Sequence, residues 1–262
     1  MIFGTWCEGN DVMAGNILLT GSSGKLGKAI KESGLFPKLL TPSRKELDIT
    51  DERSVSSYFS THDFSVVIHC AALARMRICE QDPDLAAKTN IQGTVNLVNA
   101  ALEKEKMEGK FPRFIYISTD GVYEGKKGHY KEDGPTIPYN TYGRTKLGAE
   151  RAVHALKDHC IIRTSFFDPM NIPFDTAATD MYSSKMPIME LVNAIHSLAH
   201  HSFVGVINIG AKKMSEYDRY KTHKPSINPS TFSEIQGSAP FPLAKDASMD
   251  ISRWEALKGK PL

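Results

Sequence analysis

Four tyrosine–lysine pairs in the sequence are spaced four residues apart: Tyr123–Lys127, Tyr142–Lys146, Tyr217–Lys221 and Tyr220–Lys224. On a helix this spacing puts both side chains on one face, where they can address a single bound molecule. An ammonium beside a phenol lowers the phenol's pKa and makes it a usable proton donor and acceptor near neutral pH. The spacing alone carries little information, so context must select among the four. Only Tyr142–Lys146 opens a helical pattern downstream of an apolar run, Phe114-Ile115-Tyr116-Ile117, that ends in the hydroxyl pair Ser118-Thr119. Thr119 offers a hydroxyl to orient a carbonyl oxygen, and Lys146 can hold ribose hydroxyls of a nicotinamide. The set suits carbonyl chemistry, and the other three pairs read as loop or surface matches.

Such a set needs elements that bring it to a nucleotide. The apolar run 16–20 fits a buried parallel strand and meets Gly21-Ser22-Ser23-Gly24-Lys25-Leu26-Gly27, after which Leu26, Ile30 and Leu35 mark a short amphipathic helix. In a strand–glycine turn–helix of this kind the first glycine allows the tight bend. The second admits a pyrophosphate to the backbone, and the third lets helix pack on strand. The phosphate then sits on unpaired N–H groups at the helix start. Turns recruit glycine for many reasons, so position at the first strand is what gives this one weight. A second strand, 38–41, ends at Pro42-Ser43-Arg44, where an acidic partner for a ribose 2′-hydroxyl is missing. Ser43 and Arg44 offer a hydroxyl and a guanidinium that suit a 2′-phosphate, which favours NADP(H) with NAD(H) as the alternative. A solvated surface arginine is the competing explanation.

Further along, residues 51–62 read as a helix and 64–69 as a strand leading to Cys70-Ala71-Ala72-Leu73, whose small residues leave room for a cofactor. A long helical pattern runs over 83–108, with Asn90 inside it as a packing or helix-bending residue. A helix over 142–156 and a strand over 160–163 follow. Short apolar strands alternating with helices imply an α/β fold with a parallel sheet wound on both faces. Residues 166–186 are rich in Pro, Asp, Thr and Ser. A helix over 188–199, a strand over 204–209 and a polar tail complete the chain.

Composition narrows the field. The chain has 262 residues and a formal charge of +2, so it has no strong attraction for nucleic acid or anionic membrane. No apolar run approaches bilayer length, and the first 14 residues lack a signal-peptide core. The four cysteines show no CxxC and the nine histidines no metal-ligand spacing, so reduced thiols, a cytoplasmic location and no metal are expected.

Together TGSSGKLG, LDITD, HCAAL, STDGVYEG, YNTYGRTKLGAE and IRTSFF resemble the extended short-chain dehydrogenase/reductase superfamily. Within it the chain is most similar to dTDP-4-dehydrorhamnose reductases and related sugar-nucleotide reductases. The similarity covers residues 16–167 and recurs in Lys245-Asp246-Ala247-Ser248-Met249-Asp250. The resemblance implies a Rossmann-type domain over 15–165, a small substrate lobe over 166–262 and an N-terminal extension over 1–14. It implies Thr119, Tyr142 and Lys146 as the catalytic set. The implied cofactor site comprises Gly21, Ser23, Gly24, Lys25, Leu26, Gly27, Ser43, Arg44, Asp48, Ile49, Ala71, Ala72 and Leu73, together with Tyr142 and Lys146 of the catalytic set. Ser118, Thr119 and Phe166 would meet the substrate, Phe166 standing where the family has a tryptophan. Sugar-nucleotide 4,6-dehydratases of the superfamily carry Thr-Asp-Glu, whereas this chain has Thr119-Asp120-Gly121, which disfavours dehydration. NADPH-dependent reduction of a 4-keto sugar nucleotide is thereby expected, with a homodimer by analogy. Two alternatives stay open: a sugar-nucleotide epimerase, and a non-catalytic subunit, because the regulatory subunit of methionine adenosyltransferase resembles this family too.

Overall fold

Along the strand β1 (Ile17–Thr20), successive side chains leave the backbone on opposite sides, and both sides are buried. Ile17 and Leu19 enter one apolar cluster, while Leu18 enters another. Later strands obey the same alternation. In β3 (Val66–His69), Val66 and Ile68 face one cluster and Val67 the other; β2 (Leu39–Leu40) lies beside β1. In β4 (Arg113–Ile117), Ile115 and Ile117 oppose Phe114 and Tyr116, and in β5 (His159–Thr164) Cys160 and Ile162 oppose Ile161. A sheet apolar on both faces must be covered on both, which is the condition for a parallel sheet with helical crossovers.

The structure is a computed structural model that describes residues 15–258, so the expected extension over 1–14 lies outside the described residues. Beyond β5 come β6 (Phe166–Phe167), β7 (Thr176–Ala178), β8 (Tyr182–Ser183), β9 (Met186–Pro187), β10 (Gly205–Ile209), β11 (Met214–Ser215) and β12 (Asn228–Ser230). The main sheet has six parallel strands in the order β10-β5-β4-β3-β1-β2. Helices α1 (Lys25–Glu32) and α2 (Glu52–Thr61) pack on opposite faces through Leu26 and Ile30, and through Val55, Tyr58 and Phe59.

The helix expected over 83–108 is interrupted. A short α3 (Met76–Gln81) precedes it, then α4 (Pro83–Ala87), a wide π-turn over Lys88–Gln92, and α5 (Gly93–Glu108). Asn90 is central to the π-turn. Its amide grips Leu73 by both backbone groups, at 2.7 and 3.1 Å, and reaches Thr145 Oγ1 at 2.8 Å. These bonds hold Asn90 in the middle of the wide turn, and π-bulges of this kind are frequent at functional sites. Apolar periodicity does not report it.

Helix α6 (Thr141–Val153) lies with α2 and α5 on one face. The other face carries α1, α7 (Ile188–His200) and α10 (Ser252–Leu257). The remaining elements, α8 (Glu216–Lys221), α9 (Phe232–Ser238) and the short strands, form three ladders: β6 with β9, β7 with β12, and β8 with β11. Phe167, Ala177, Tyr220 and Ile227 make their small core. The segment 245–250 ties this part to the loop after β4, through Asp246 N–H to Gly125 O and Ala247 N–H to Tyr182 O.

Candidate active site

Parallel strands aim all their carboxyl ends at one edge, and the loops leaving that edge build the site. There β1 ends in Thr20 and turns at Gly21, whose φ of +73° is left-handed and whose added Cβ would stand 2.5 Å from Ala71 N. Only glycine fits, because the turn presses on the end of β3. A Cβ on Gly27 would reach 2.2 Å from Gly21 O, so α1 lies directly against the turn. Gly24 begins α1 with no side-chain cap among the described residues, leaving the first N–H groups of the helix open to an anion. The resulting cleft is about 670 Å³ and gathers Gly21, Ser23, Gly24, Ser43, Arg44, Asp48, Ile49, Ala71 and Ala72. These residues suit a dinucleotide phosphate and its adenosine.

Lys25, Leu26, Gly27 and Leu73 do not line that cleft. Leu26 is core, Gly27 is a packing residue, Lys25 is exposed on the outer side of α1, and Leu73 is held from behind by Asn90. Lys28, Lys31 and Glu46 do line it, and the glycine-based reading missed them. Glu46 had a signal: Ser43-x-x-Glu46 has capping-box spacing, and Ser43 N–H donates to Glu46 Oε2 at 2.7 Å. Arg44 donates from Nε to Asp48 Oδ2 at 3.1 Å.

One strand over, β4 delivers Ser118 and Thr119, and Asn140 caps α6 by accepting from Gly143 N–H at 2.8 Å. Glu80 of α3 braces the same turn, accepting from Thr141 N–H at 2.6 Å and from its hydroxyl at 2.7 Å. Gly143 sits where a Cβ would meet Gly121 O at 2.1 Å, so α6 touches the loop after β4. This contact fixes the half-buried Tyr142 near Asp120.

Ser118 is a correction. Strand alternation turns it away from Thr119, and its buried hydroxyl donates to Glu150, which pairs with Arg163 at 2.7 Å. It supports the site from beneath and is not positioned as a substrate contact. The Thr119 hydroxyl accepts from Gly121 N–H and donates to Asp120 Oδ1, both at 3.1 Å. Phe166 is half-buried against the main core.

The expected ammonium-lowered phenol is a second correction. Burial pushes the Tyr142 phenol pKa up, and the neighbouring Asp120 carboxylate and Cys79 push it further. Lys146 is buried and lies 3.9 Å from the centre of the Tyr116 ring. Its own pKa is lowered to about 7 by burial, opposed by Glu150 and Cys70. The same burial raises Asp120 to about 6, against the pull of Lys185, Thr119 and Ser165. Lys185 comes from the segment between β8 and β9 and pairs with Glu216 at 2.7 Å. A buried carboxyl and a buried ammonium beside a half-buried phenol, all with displaced pKa values, suit proton-transfer chemistry.

A second groove, about 620 Å³, lies between α7 and α10, away from the strand ends. Among the described residues no helix is long and apolar enough to cross a membrane.

Comparison with known proteins adds the following. Methionine adenosyltransferase 2 subunit beta from Pongo abelii is 26% identical over 286 aligned residues, covering 92% of this chain and 82% of that protein. The dTDP-4-dehydrorhamnose reductase of Mycolicibacterium smegmatis is 35% identical over 161 residues, 60% of this chain, which spans 47% of that relative's length. The crystal structure of dTDP-4-dehydrorhamnose reductase from Bacillus anthracis in complex with NADP aligns with a TM-score of 0.82 at 23% identity, covering 95% of this chain and 94% of that one. That likeness establishes the fold. The RmlD substrate binding domain family matches residues 15–168, more than half of the sequence, and the chain belongs to that family.

Proposed function

We propose that the protein catalyses the NADPH-dependent reduction of a 4-keto sugar nucleotide. What supports this reading is the order of the strands: the glycine-turn cleft lies at the carboxyl ends of β1 and β3, and Thr119 follows the neighbouring strand β4, against which Tyr142 and Lys146 of α6 are set, with Cys70 of the cleft lining beside Lys146. The reductase relatives supply the substrate class.

When bound, reduced nicotinamide supplies the hydride that adds to the keto carbon. Tyr142 gives its phenolic proton to the former carbonyl oxygen, so that C=O becomes CH–OH, and later regains a proton from water. A phenol with a raised pKa is fully protonated at neutral pH, the state a reduction consumes. Thr119 turns its hydroxyl from Asp120 to the carbonyl oxygen while keeping the Gly121 N–H bond. Lys146, deep beside Cys70 on the cleft wall, holds the ribose end of the nicotinamide. Gly121 stands where the dehydratase motif carries its glutamate, so of the two carboxylates used for elimination only Asp120 is present. Residues 15–165 serve the nucleotide and 166–262 the sugar, in a cytoplasmic homodimer whose mass light scattering would check.

The test is NADPH consumption with 4-keto-6-deoxy sugar nucleotides by wild type and Tyr142→Phe. Loss of the proton donor is expected to lower kcat about 10²–10⁴-fold with nucleotide affinity unchanged. Absence of turnover across several such sugars, with NADPH demonstrably bound, would contradict the reading.

A second reading has its own observation: the methionine adenosyltransferase 2 beta relative matches over 92% of this chain. A dinucleotide-binding regulatory subunit would co-purify with an enzyme and keep its effect in Tyr142→Phe.

A further inference from the structure

The adenosine end of the cleft holds a conflict. A 2′-phosphate needs donors and positive charge, and Ser43 and Arg44 are the residues of the right type. Both are already engaged by carboxylates. Ser43 N–H donates to Glu46 Oε2 at 2.7 Å, and the Ser43 hydroxyl adds a second bond to the same group. Arg44 Nε donates to Asp48 Oδ2 at 3.1 Å. Asp48 is further fixed by Thr50, whose N–H and hydroxyl donate to Oδ1 at 2.9 and 2.8 Å. Around this end of the cleft, Lys28, Lys31 and Arg44 face Glu32, Glu46 and Asp48, so the cations are matched by carboxylates one for one.

Glu46 differs from Asp48 in how it is held. Asp48 is half-buried and bonded on both oxygens, whereas Glu46 is exposed and bonded to Ser43 alone among the described residues. Glu46 can swing away; Asp48 is locked.

We propose that Glu46 is a specificity-determining residue: its carboxylate occupies the Ser43 donors that a 2′-phosphate would use, so NADPH binds by displacing it, while the 2′-hydroxyl of NADH binds beside it. This rests on the reading of the cleft as a dinucleotide site and states how the two nucleotides are told apart there. The carboxylate is a built-in anion at the position of the ligand's own. It accepts a hydrogen bond from a neutral 2′-hydroxyl and repels a phosphate. Wild type therefore favours NADPH only modestly, the gain from Ser43, Arg44 and the two lysines being offset by the anion that must leave.

The experiment is direct titration of NADPH and NADH, by nucleotide fluorescence, into wild type, Glu46→Gln and Glu46→Ser at low and at high salt. Each substitution removes the charge from an exposed side chain, and either suffices if the other folds poorly. NADPH is expected to tighten about five- to tenfold relative to NADH, the scale of one charge contact near a solvated surface. The gain should shrink at high salt, where such contacts are screened. An unchanged affinity ratio in both variants, with both nucleotides bound, overturns the assignment and leaves the dinucleotide reading standing. If wild type binds neither nucleotide, both fall together.

Discussion

The nucleotide cleft and the Tyr142 cluster share one edge of one sheet and are made of opposite materials. The cleft is built from backbone: a left-handed Gly21, an uncapped helix start, and small residues at the end of β3. Its side chains, Ser43, Arg44 and Glu46 among them, are exposed. The cluster is built from the buried side chains of Asp120 and Lys146 and the half-buried Tyr142, and all three have displaced pKa values there. Binding a phosphate needs shape and unpaired N–H groups, which remain effective in water. Moving a proton needs groups whose charge is costly, and burial supplies that cost. The two regions should therefore fail in different ways.

The largest expected effect lies beneath the cluster. Glu150 joins Ser118 to Arg163 inside the core, and Arg163 also donates to Tyr123 Oη at 3.0 Å. Glu150→Ala leaves a buried guanidinium without its carboxylate and is expected to lower stability by about 3–5 kcal/mol in denaturant unfolding. In the remaining folded protein the cleft should still bind nucleotide. Loss of binding there would show that the two regions are one cooperative unit.

Gly27→Ala attacks the other side. Its Cβ would fall 2.2 Å from a backbone oxygen, so α1 must shift, at a cost of about 1–3 kcal/mol. NADPH affinity should fall sharply, while the pH dependence of the folded protein is unchanged. Equal nucleotide affinity in this variant would contradict the close packing of turn and helix.

The effect that appears only as pH rises is the most discriminating. Burial raises the Asp120 carboxyl from its ordinary 3.8 to about 6, so between these the native state holds more proton than the unfolded one. Stability attributable to this group is present below the lower value and is lost as pH rises through the upper one. Asp120→Asn removes that loss. It should match wild type near the acid end and exceed it by about 1–3 kcal/mol at pH 8. Lys146 runs the other way: its folded pKa of about 7 lies below 10.5, so its burial penalty is full below 7 and fades toward alkaline pH. A parallel offset of Asp120→Asn at every pH would mean the carboxyl is not shifted.

How far the sequence could be read follows the same division. Alternating apolar strands and the glycine turn are local patterns, and they fixed the parallel sheet and the cleft's backbone. The break at Asn90 was not legible as a π-turn, because its partners, Leu73 and Thr145, lie 17 and 55 residues away. Nor was the state of Tyr142. Spacing places Lys146 one turn on, but Asp120, Cys79 and the depth of burial decide the phenol's pKa, and those are tertiary facts. Ser118 misled for a simple reason: adjacent strand residues point to opposite faces. Glu46 was readable as a capping spacing, yet its proximity to a ligand's 2′ position depends on the cleft closing around it.

On the proposed function, a hydride leaves the nicotinamide for C4 of a sugar nucleotide while Tyr142 delivers the proton. Single-turnover reaction of 4-deuterated NADPH with a 4-keto-6-deoxy sugar nucleotide measures this most directly. Product carrying deuterium at C4 from one face of the cofactor is expected, with a large loss of that product in Tyr142→Phe. Label that remains on bound cofactor, or the same labelled yield from Tyr142→Phe, would contradict it.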